Sequence, residues 1–447
     1  AIPLARAPAG PPSQLPCPLP CPPAMAAAGA EGPGVLPILG TMTFGAEGQV
    51  KLDEAGVMIR SFCGAKCATS PVGALLDTAR IYQVASGDGD TESTLGQAFA
   101  ASPSLLRRVS VATKANPVAA PHASLSRQSI VDQCNTSLEK LGLECVDLFY
   151  LHFPDIQTDM DDTLSGIDEL HKEGKIKEFG LSNYPAWAVV DIWHRCKSRG
   201  MVRPTVYQGM YNVVTRDMER EIVPVAREFG LRLYMYNPLA GGLLSGRYSR
   251  VEDLAEATEG RFSAEFDHAF GASMKAGTQV YRARYSKQPL FDALDILKKA
   301  CAPEPAADGA PAAPAPLVEQ SDSTVDGLRV RVEVREVAAR QQGGLDMAGV
   351  ALRWLIHHSL LAPGDGIILG VSKQSHLVAN LAAWQAGPLP EPVAAACEAA
   401  WEAARPACEP YFRGYGARPG GIERFLALKS EKRETDEETA AKRARAS

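Results

Sequence analysis

Residues 146–183 read VDLFYLHFPDIQTDMDDTLSGIDELHKEGKIKEFGLSN and contain one complete strand–helix–strand unit. The two ends of this segment, 146–152 and 178–183, are short runs rich in apolar and aromatic residues, which is typical of buried parallel strands. Between them, 163–174 has helical periodicity and ends at a glycine, a residue that commonly closes a helix. Strands that alternate with helices predict an α/β fold with a parallel sheet.

The same alternation continues in both directions along the chain. Including the two strands of that segment, the predicted strands are 35–40, 75–79, 109–114, 146–152, 178–183, 206–212, 232–240 and 366–372. Helical periodicity separates them, for example over 129–142, 219–230 and 346–359. Eight such units predict closure into a (β/α)8 barrel, the TIM barrel, rather than an open sheet.

Two segments beyond this pattern lack a core. A Pro- and Ala-rich low-complexity run at 303–316 precedes an alternating segment, 328–337, that is typical of a strand or a charged extension. We expect 302–344 to be a mobile insertion within a barrel that extends over 35–428. The charged residues 429–447 are expected to form a disordered tail.

The first 34 residues are rich in Pro and Ala, and we expect 1–34 to be a disordered leader. Proline interrupts its apolar parts too often for a secretory signal. Its scarcity of acidic residues suits an organellar transit peptide, whereas Met25 as the native start would leave residues 1–24 outside the native protein. We therefore expect a cytoplasmic protein, or a plastid or mitochondrial one if the leader is a transit peptide.

Composition and charge argue against several classes of protein. The net charge of −6 is unlike that of a nucleic-acid-binding protein. No run of about eighteen consecutive apolar residues predicts a membrane span. The ten cysteines form no disulfide framework and indicate a reducing compartment. Cys63 and Cys67 lack a second Cys or His pair at zinc-finger spacing, so we predict unpaired thiols and no metal site.

Ionisable residues stand at the ends of successive predicted strands. Asp77 ends the second run and Tyr82 follows on the next loop, while Lys114 and His152 end the third and fourth runs. Catalytic groups of a parallel barrel lie at the carboxyl ends of its strands, so these side chains are expected to converge. A nearby ammonium favours a phenolate; Lys114 is therefore expected to lower the pKa of Tyr82, and Asp77 to keep Lys114 protonated.

These four residues predict the chemistry of carbonyl reduction. Tyr82 would act as the general acid at neutral pH, and His152 would orient and polarise a substrate carbonyl. The hydride must come from a cofactor because no side chain supplies one. No G-x-G-x-x-G motif follows an early strand, so a Rossmann dinucleotide domain is not supported.

Several motifs resemble the aldo-keto reductase superfamily. They are LGTMTFG (39–45), LLDTARIY (75–82), VATKANP (111–117), DLFYLHFPD (147–155), GLSNY (180–184), PTVYQGMYN (204–212), YNPLAGGLLSGRY (236–248) and LRWLIHHS (352–359). The GMYN and NPLAGGLL elements are most similar to the aflatoxin-aldehyde reductase family, whose members also reduce succinic semialdehyde. The resemblance covers 35–300 and 345–413, most of the chain.

This resemblance implies NADPH-dependent reduction of small aldehydes, such as reactive dialdehydes and short semialdehydes, to alcohols. It assigns catalysis to Asp77, Tyr82, Lys114 and His152. Cofactor binding is implied for Ser182, Asn183, Gln208, Tyr236, Asn237, Leu239, Gly241, Gly242, Gly246, Arg247, Arg261, Gly370, Ser372, Lys373, His376 and Asn380. Substrate binding is implied for Met42, Tyr281, Arg284 and Arg413.

Within the implied cofactor set, Ser182, Asn183 and Gln208 would hold the nicotinamide amide, and Tyr236 would stack on the ring. The loop 237–247 would cover the pyrophosphate. The segment after the last strand would grip the 2′-phosphate and adenine, where Lys373 agrees with NADPH rather than NADH.

Two other functions stay open at this point. Some barrels of the superfamily are regulatory subunits of potassium channels that sense the redox state of the cofactor with little turnover. A third interpretation treats the insertion and the charged tail as the working parts of an interaction protein. Family members often form dimers, and the sequence leaves a homodimer open.

Overall fold

The computed structural model describes residues 34–46, 48–65, 73–83, 90–118, 124–263, 266, 277–302 and 345–414, with the backbone alone of 321–325 and 328–332. The predicted leader and charged tail lie outside the described residues, as do most of the insertion and Cys67. The predictions made for those segments therefore stay predictions.

The described part of the chain contains ten strands. In chain order they are β1 (Leu36–Gly40), β2 (Ala74–Asp77), β3 (Val109–Ala115), β4 (Val146–Leu151), β5 (Ile176–Ser182), β6 (Pro204–Met210), β7 (Arg232–Tyr236), β8 (Ser321–Val325), β9 (Leu328–Val332) and β10 (Gly366–Gly370). Eight of them close into a barrel in the order β1-β10-β7-β6-β5-β4-β3-β2. All eight predicted runs are confirmed as strands of this barrel.

Helices separate the barrel strands along the chain. They are α1 (Leu52–Gly64), α2 (Thr91–Ala101), α3 (Arg127–Leu141), α4 (Met160–Lys172), α5 (Ala186–Arg199), α6 (Ile222–Phe229), α7 (Gly277–Tyr285), α8 (Gln288–Cys301), α9 (Met347–His357), α10 (Gln374–Ala382) and α11 (Glu391–Ala404). Gly142 and Gly230 adopt left-handed conformations and close α3 and α6, as predicted.

The barrel interior is a packed core rather than a channel. Its small apolar cluster consists of Ile38, Ala112, Leu148, Tyr150, Val206, Tyr234 and Ile368, which come from six of the eight strands. Gly180 on β5 makes room for the Tyr150 ring, because a Cβ at that position would lie 2.4 Å from Tyr150 Cδ1. A larger cluster fills the space between the strands and the surrounding helices.

The first and last barrel strands pair with each other and complete the ring. Their parallel register runs from Leu36 opposite Gly366 to Gly40 opposite Gly370. Just before β10, the buried carboxylate of Asp365 accepts hydrogen bonds from the backbone N–H of Leu233 at 2.7 Å and from the Arg227 guanidinium at 2.6 and 3.2 Å. This carboxylate ties β7 and α6 to β10.

The insertion contains a two-stranded antiparallel hairpin. Strand β9 falls within the alternating segment predicted at 328–337 to be a strand or an extension, so the strand alternative is confirmed for Leu328–Val332. Its partner β8 has the sequence SDSTV, and the register runs from Ser321 opposite Val332 to Val325 opposite Leu328. The hairpin forms a sheet separate from the barrel.

Candidate active site

A cavity of about 710 Å³ lies at the carboxyl ends of the barrel strands. Twenty-one of the residues predicted to form the site line it: Met42, Asp77, Tyr82, His152, Ser182, Asn183, Gln208, Tyr236, Asn237, Leu239, Gly241, Gly242, Arg247, Arg261, Tyr281, Gly370, Ser372, Lys373, His376, Asn380 and Arg413. The fold therefore brings together residues separated by more than 300 positions in the chain.

Three predicted residues do not line the cavity. Lys114 is fully buried behind it. Gly246 has a φ of +79° and faces Met347 instead. The Arg284 guanidinium packs 5.9 Å from the ring centroids of both Tyr281 and Tyr285.

A buried ion pair lies beneath the cavity. Lys114 Nζ, at the end of β3, donates to Asp77 Oδ1 at 2.5 Å and to the Thr78 carbonyl at 2.7 Å. The second carboxylate oxygen of Asp77 accepts from Gln208 Nε2 at 2.7 Å. Lys114 Nζ also lies 5.2 Å from the ring centroid of Tyr82. The predicted association of Asp77, Lys114 and Tyr82 is therefore present in the geometry.

The shift in the pKa of Tyr82 is opposite to the expected one. Burial raises the pKa of this phenol well above its usual value, and the negative charge of Asp77 adds to the rise. Burial also lowers the pKa of Lys114, although the neighbouring Asp77 carboxylate opposes that shift. The prediction of a lowered Tyr82 pKa is wrong, because desolvation and the negative charge of Asp77 outweigh the lowering effect of the Arg261 guanidinium. Tyr82 consequently keeps its proton at neutral pH.

His152 faces Tyr82 across the same end of the cavity. The two ring centroids are 5.9 Å apart and the ring planes are nearly perpendicular. Burial holds the pKa of His152 well below its usual value, and the charges of Lys114 and Arg413 act in the same direction. The imidazole is therefore neutral at physiological pH. Its buried Nδ1 has no hydrogen-bond partner among the residues that the structure describes.

Asn183 connects the ends of several strands. Its side-chain amide donates to the His152 carbonyl and to Ser182 Oγ, both at 2.9 Å, and its Oδ1 accepts from the Tyr236 hydroxyl at 2.8 Å. Its backbone is left-handed, with a φ of +63°. The Asn183 carbonyl accepts the backbone N–H of Arg413 at 2.9 Å, which brings Arg413 to the cavity.

The Arg261 side chain lines the cavity and contacts residues of other segments. Its guanidinium reaches Met42 Sδ at 3.1 Å, on the loop after β1. The same group lies 4.7 Å from the Phe266 ring centroid and 5.7 Å from that of Tyr281. The contact with Met42 connects the long loop after β7 with the loop after β1, from which it is separated in the barrel by β10 alone.

Charged side chains gather at another part of the cavity wall. Glu259 Oε2 lies 3.9 Å from Arg247 Nη1 and 3.8 Å from Lys373 Nζ. Nearby, Ser372 Oγ and His376 Nδ1 are 3.3 Å apart. Sequence reasoning missed Glu259, because it lies within a long loop rather than at a strand end. Its position two residues before Arg261, a predicted cofactor contact, is the feature of the sequence that could have identified Glu259 as a site residue.

The profile of the Aldo/keto reductase family matches residues 38–402. The chain belongs to the aldo-keto reductase family. It is 39% identical to aflatoxin B1 aldehyde reductase member 2 of Homo sapiens over 383 residues, which are 85% of this chain and 90% of that protein. The identity is 40% to the protein of the same name from Rattus norvegicus, over 76% of this chain and 79% of that protein.

A third relative is aflatoxin B1 aldehyde reductase member 4 of Homo sapiens, which is 40% identical over 75% of this chain and 87% of that protein. This aldo-keto reductase is accordingly an oxidoreductase, and its family generally uses nicotinamide cofactors. Within the described ranges, no group of three His, Cys, Asp or Glu residues could hold a metal ion. None of the helices in those ranges has the length and apolar character needed to cross a membrane.

Proposed function

We propose that this enzyme reduces aldehydes to alcohols, with NADPH as hydride donor and Tyr82 as general acid. The observation that carries the proposal is the convergence of Tyr82 and His152 on one end of the cavity, with the Lys114 ammonium 5.2 Å from the Tyr82 ring centroid. A phenol and an imidazole that face the same space can protonate and orient a carbonyl oxygen. The relatives bear names that specify aldehyde reduction.

The cavity residues fit a nicotinamide dinucleotide that carries a phosphate on its adenosine. The volume of about 710 Å³ is in the range of cofactor sites. We propose that the nicotinamide lies beside Asn183 and Gln208, close to His152. Gly242 has a φ of +101° and open space where a Cβ would stand, so a phosphate can approach its backbone closely. Arg247 supplies positive charge farther along the wall.

NADPH supplies the hydride when it is bound. Tyr82, which retains its proton in the buried site, donates that proton to the carbonyl oxygen as the carbon is reduced. The Lys114 ammonium then stabilises the phenolate that Tyr82 becomes, and solvent returns the proton. His152, as a neutral imidazole, donates a hydrogen bond to the same carbonyl oxygen and fixes its direction.

We further propose that the substrates are short semialdehydes and reactive dialdehydes. Arg413 lines the cavity, and its guanidinium lies 5.1 Å from the Phe153 ring centroid, beside His152. A cation at that position suits the carboxylate of a semialdehyde. Arg413 is assigned this role in preference to Arg284, because only Arg413 of the two lines the cavity. Met42 and Tyr281 also line the cavity.

The proposal is tested by following NADPH oxidation with succinic semialdehyde and 4-nitrobenzaldehyde. Tyr82→Phe removes the proton donor while keeping the ring, and we expect its kcat to fall by about 10²–10⁴-fold. Tyr248→Phe removes a hydroxyl from the same cavity wall and serves as the control, with a change below about threefold. The NADPH dissociation constant, measured by fluorescence titration, should be similar for all three proteins.

A different result would favour another function. If the wild-type protein binds NADPH but oxidises it with neither aldehyde nor with a broader set of carbonyls, the reductase proposal fails. The protein would then be better explained as a regulatory subunit that senses the redox state of its cofactor. Full activity in Tyr82→Phe would instead overturn the assignment of the acid.

A further inference from the structure

One part of the cavity wall carries a carboxylate close to two cations. A single oxygen of Glu259 is 3.9 Å from Arg247 Nη1 and 3.8 Å from Lys373 Nζ. All three side chains are more than half exposed, and all three line the cavity. Both distances are longer than a direct hydrogen bond, so the three groups interact by charge and not by tight pairing.

Positive charge prevails at this wall despite the carboxylate. Arg247 and Lys373 carry two positive charges against the single negative charge of Glu259. The neighbouring His376 reports the same field: burial lowers its pKa, and Lys373 and Arg247 lower it further, while Glu259 opposes them. A space bordered by two cations and an imidazole suits a dianion better than a single carboxylate.

The three charged residues lie in different backbone segments. Lys373 immediately precedes the first residue of α10, where no side chain caps the helix N-terminus. Arg247 follows Gly246, and Glu259 precedes Gly260, and both glycines have left-handed backbones, with φ of +79° and +78°. Lys373 and Glu259 both have extended backbones; α10 follows Lys373, and a short 3₁₀ turn over Gly260–Phe262 follows Glu259.

We propose that the Glu259 carboxylate competes with the 2′-phosphate of NADPH for the positive charge of Arg247 and Lys373. This inference rests on the NADPH binding proposed above. Glu259 then lowers the affinity for NADPH below the value that the two cations alone would give. It affects NADH little, because NADH has a ribose hydroxyl in place of this phosphate.

Glu259→Gln tests the inference, because it removes the charge and keeps the shape. A charge a few ångströms from a phosphate in a half-exposed site is worth about a fivefold to tenfold change in the dissociation constant at low salt. We expect Glu259→Gln to bind NADPH and adenosine 2′,5′-bisphosphate tighter by that factor, and to bind NADH and AMP within about twofold of wild type. The gain should shrink at high salt.

Glu252→Gln is the matched control. Glu252 is an exposed carboxylate seven residues earlier in the same loop, and it lines neither this cavity nor the smaller pocket beside Arg247. We expect it to change NADPH affinity by less than about twofold, since exposed charges beyond the site are screened. If both variants bound NADPH more tightly by the same factor, the change in affinity would come from net charge alone, and the proposal would be overturned.

Calorimetric titration of the full chain with these four nucleotides separates the outcomes. Unchanged NADPH affinity in Glu259→Gln, or equal gains for NADPH and NADH, overturns the competition while leaving NADPH binding intact. Failure of the wild-type protein to bind NADPH or adenosine 2′,5′-bisphosphate overturns the proposed function as well. A gain confined to the two 2′-phosphorylated ligands supports the proposal.

Discussion

Replacing Lys114 with methionine isolates the energetic role of the buried ion pair. Methionine keeps an unbranched side chain of similar length but removes the ammonium that lies 2.5 Å from Asp77 Oδ1. Asp77 then keeps the hydrogen bond from Gln208 and loses its counter-ion in a site that is almost fully buried. Removing one partner of a buried pair costs about 3–5 kcal/mol, and we expect Lys114→Met to lower the free energy of unfolding by that amount.

The double variant Lys114→Met/Asp77→Asn should recover most of this loss. It contains no buried charge at the site, and the asparagine Oδ1 can still accept the hydrogen bond from Gln208. We expect the double variant to be about 2–3 kcal/mol more stable than Lys114→Met alone, although both should have lost reductase activity. Equilibrium urea unfolding of the wild type, both single variants and the double variant completes the cycle.

The cycle would contradict this reasoning in either of two ways. A Lys114→Met protein within about 1 kcal/mol of wild type would mean that the pair carries little of the stability of this region. A double variant no more stable than Lys114→Met would mean that lost packing, and not an unpaired carboxylate, causes the damage.

Two further predictions concern helix packing and pH. Gly96→Ala should destabilise the protein by about 1–3 kcal/mol or more, because its Cβ would lie 2.0 Å from a backbone carbonyl oxygen of α3. Gly56→Ala is the control and should be neutral or stabilising, because its Cβ meets only the flexible end of Arg60 at 3.4 Å. Equal shifts of the urea midpoint in the two variants would contradict this reasoning. For aldehyde reduction, we expect kcat/KM to be independent of pH between about pH 6 and 9. The raised pKa of Tyr82 keeps the acid protonated over this range, and the lowered pKa of His152 keeps the imidazole neutral. A titration limb centred near pH 7–8 in stopped-flow measurements of the chemical step would contradict that assignment.

The barrel was predictable because its strands are buried on both faces. Such strands appear as short apolar runs, and the helices between them carry a clear period. The end of a run was harder to place. The run predicted over 232–240 stops being a strand at Tyr236, because Asn237 and Ala240 have left-handed backbones that turn the chain. Apolar content continues through that turn, so periodicity could not locate it.

The hairpin of the insertion shows a different limit. Strand β9 alternates visibly, whereas its partner β8 consists of SDSTV and has no hydrophobic pattern of its own. The pairing of β8 is a property of the hairpin and not of its own five residues. A prediction from local sequence could therefore find only one of the two strands.

The candidate site residues at strand ends could be predicted from the sequence. The effect of burial on the pKa of Tyr82 and the position of the loop residue Glu259 could not. Asp77 and His152 stand at the ends of predicted strands, so the topology alone brings them together. The pKa of Tyr82 depends on how deeply the phenol is buried, which no motif encodes. Glu259 reaches the cavity through a loop whose path is set by tertiary contacts such as that of Arg261 with Met42.

The pairing of β1 with β10 has a consequence during protein synthesis. About 330 residues separate Leu36 from Gly366, so a ribosome that adds ~5–20 residues per second delivers the two strands roughly 15–65 seconds apart. Once β7 has been synthesised, the nascent chain has seven barrel strands and two open edges, on β1 and β7, until β10 follows about 130 residues later. Unpaired edges are templates for association with other chains. Closure of the barrel must therefore wait until β10, the last barrel strand in the chain, can pair with both edges.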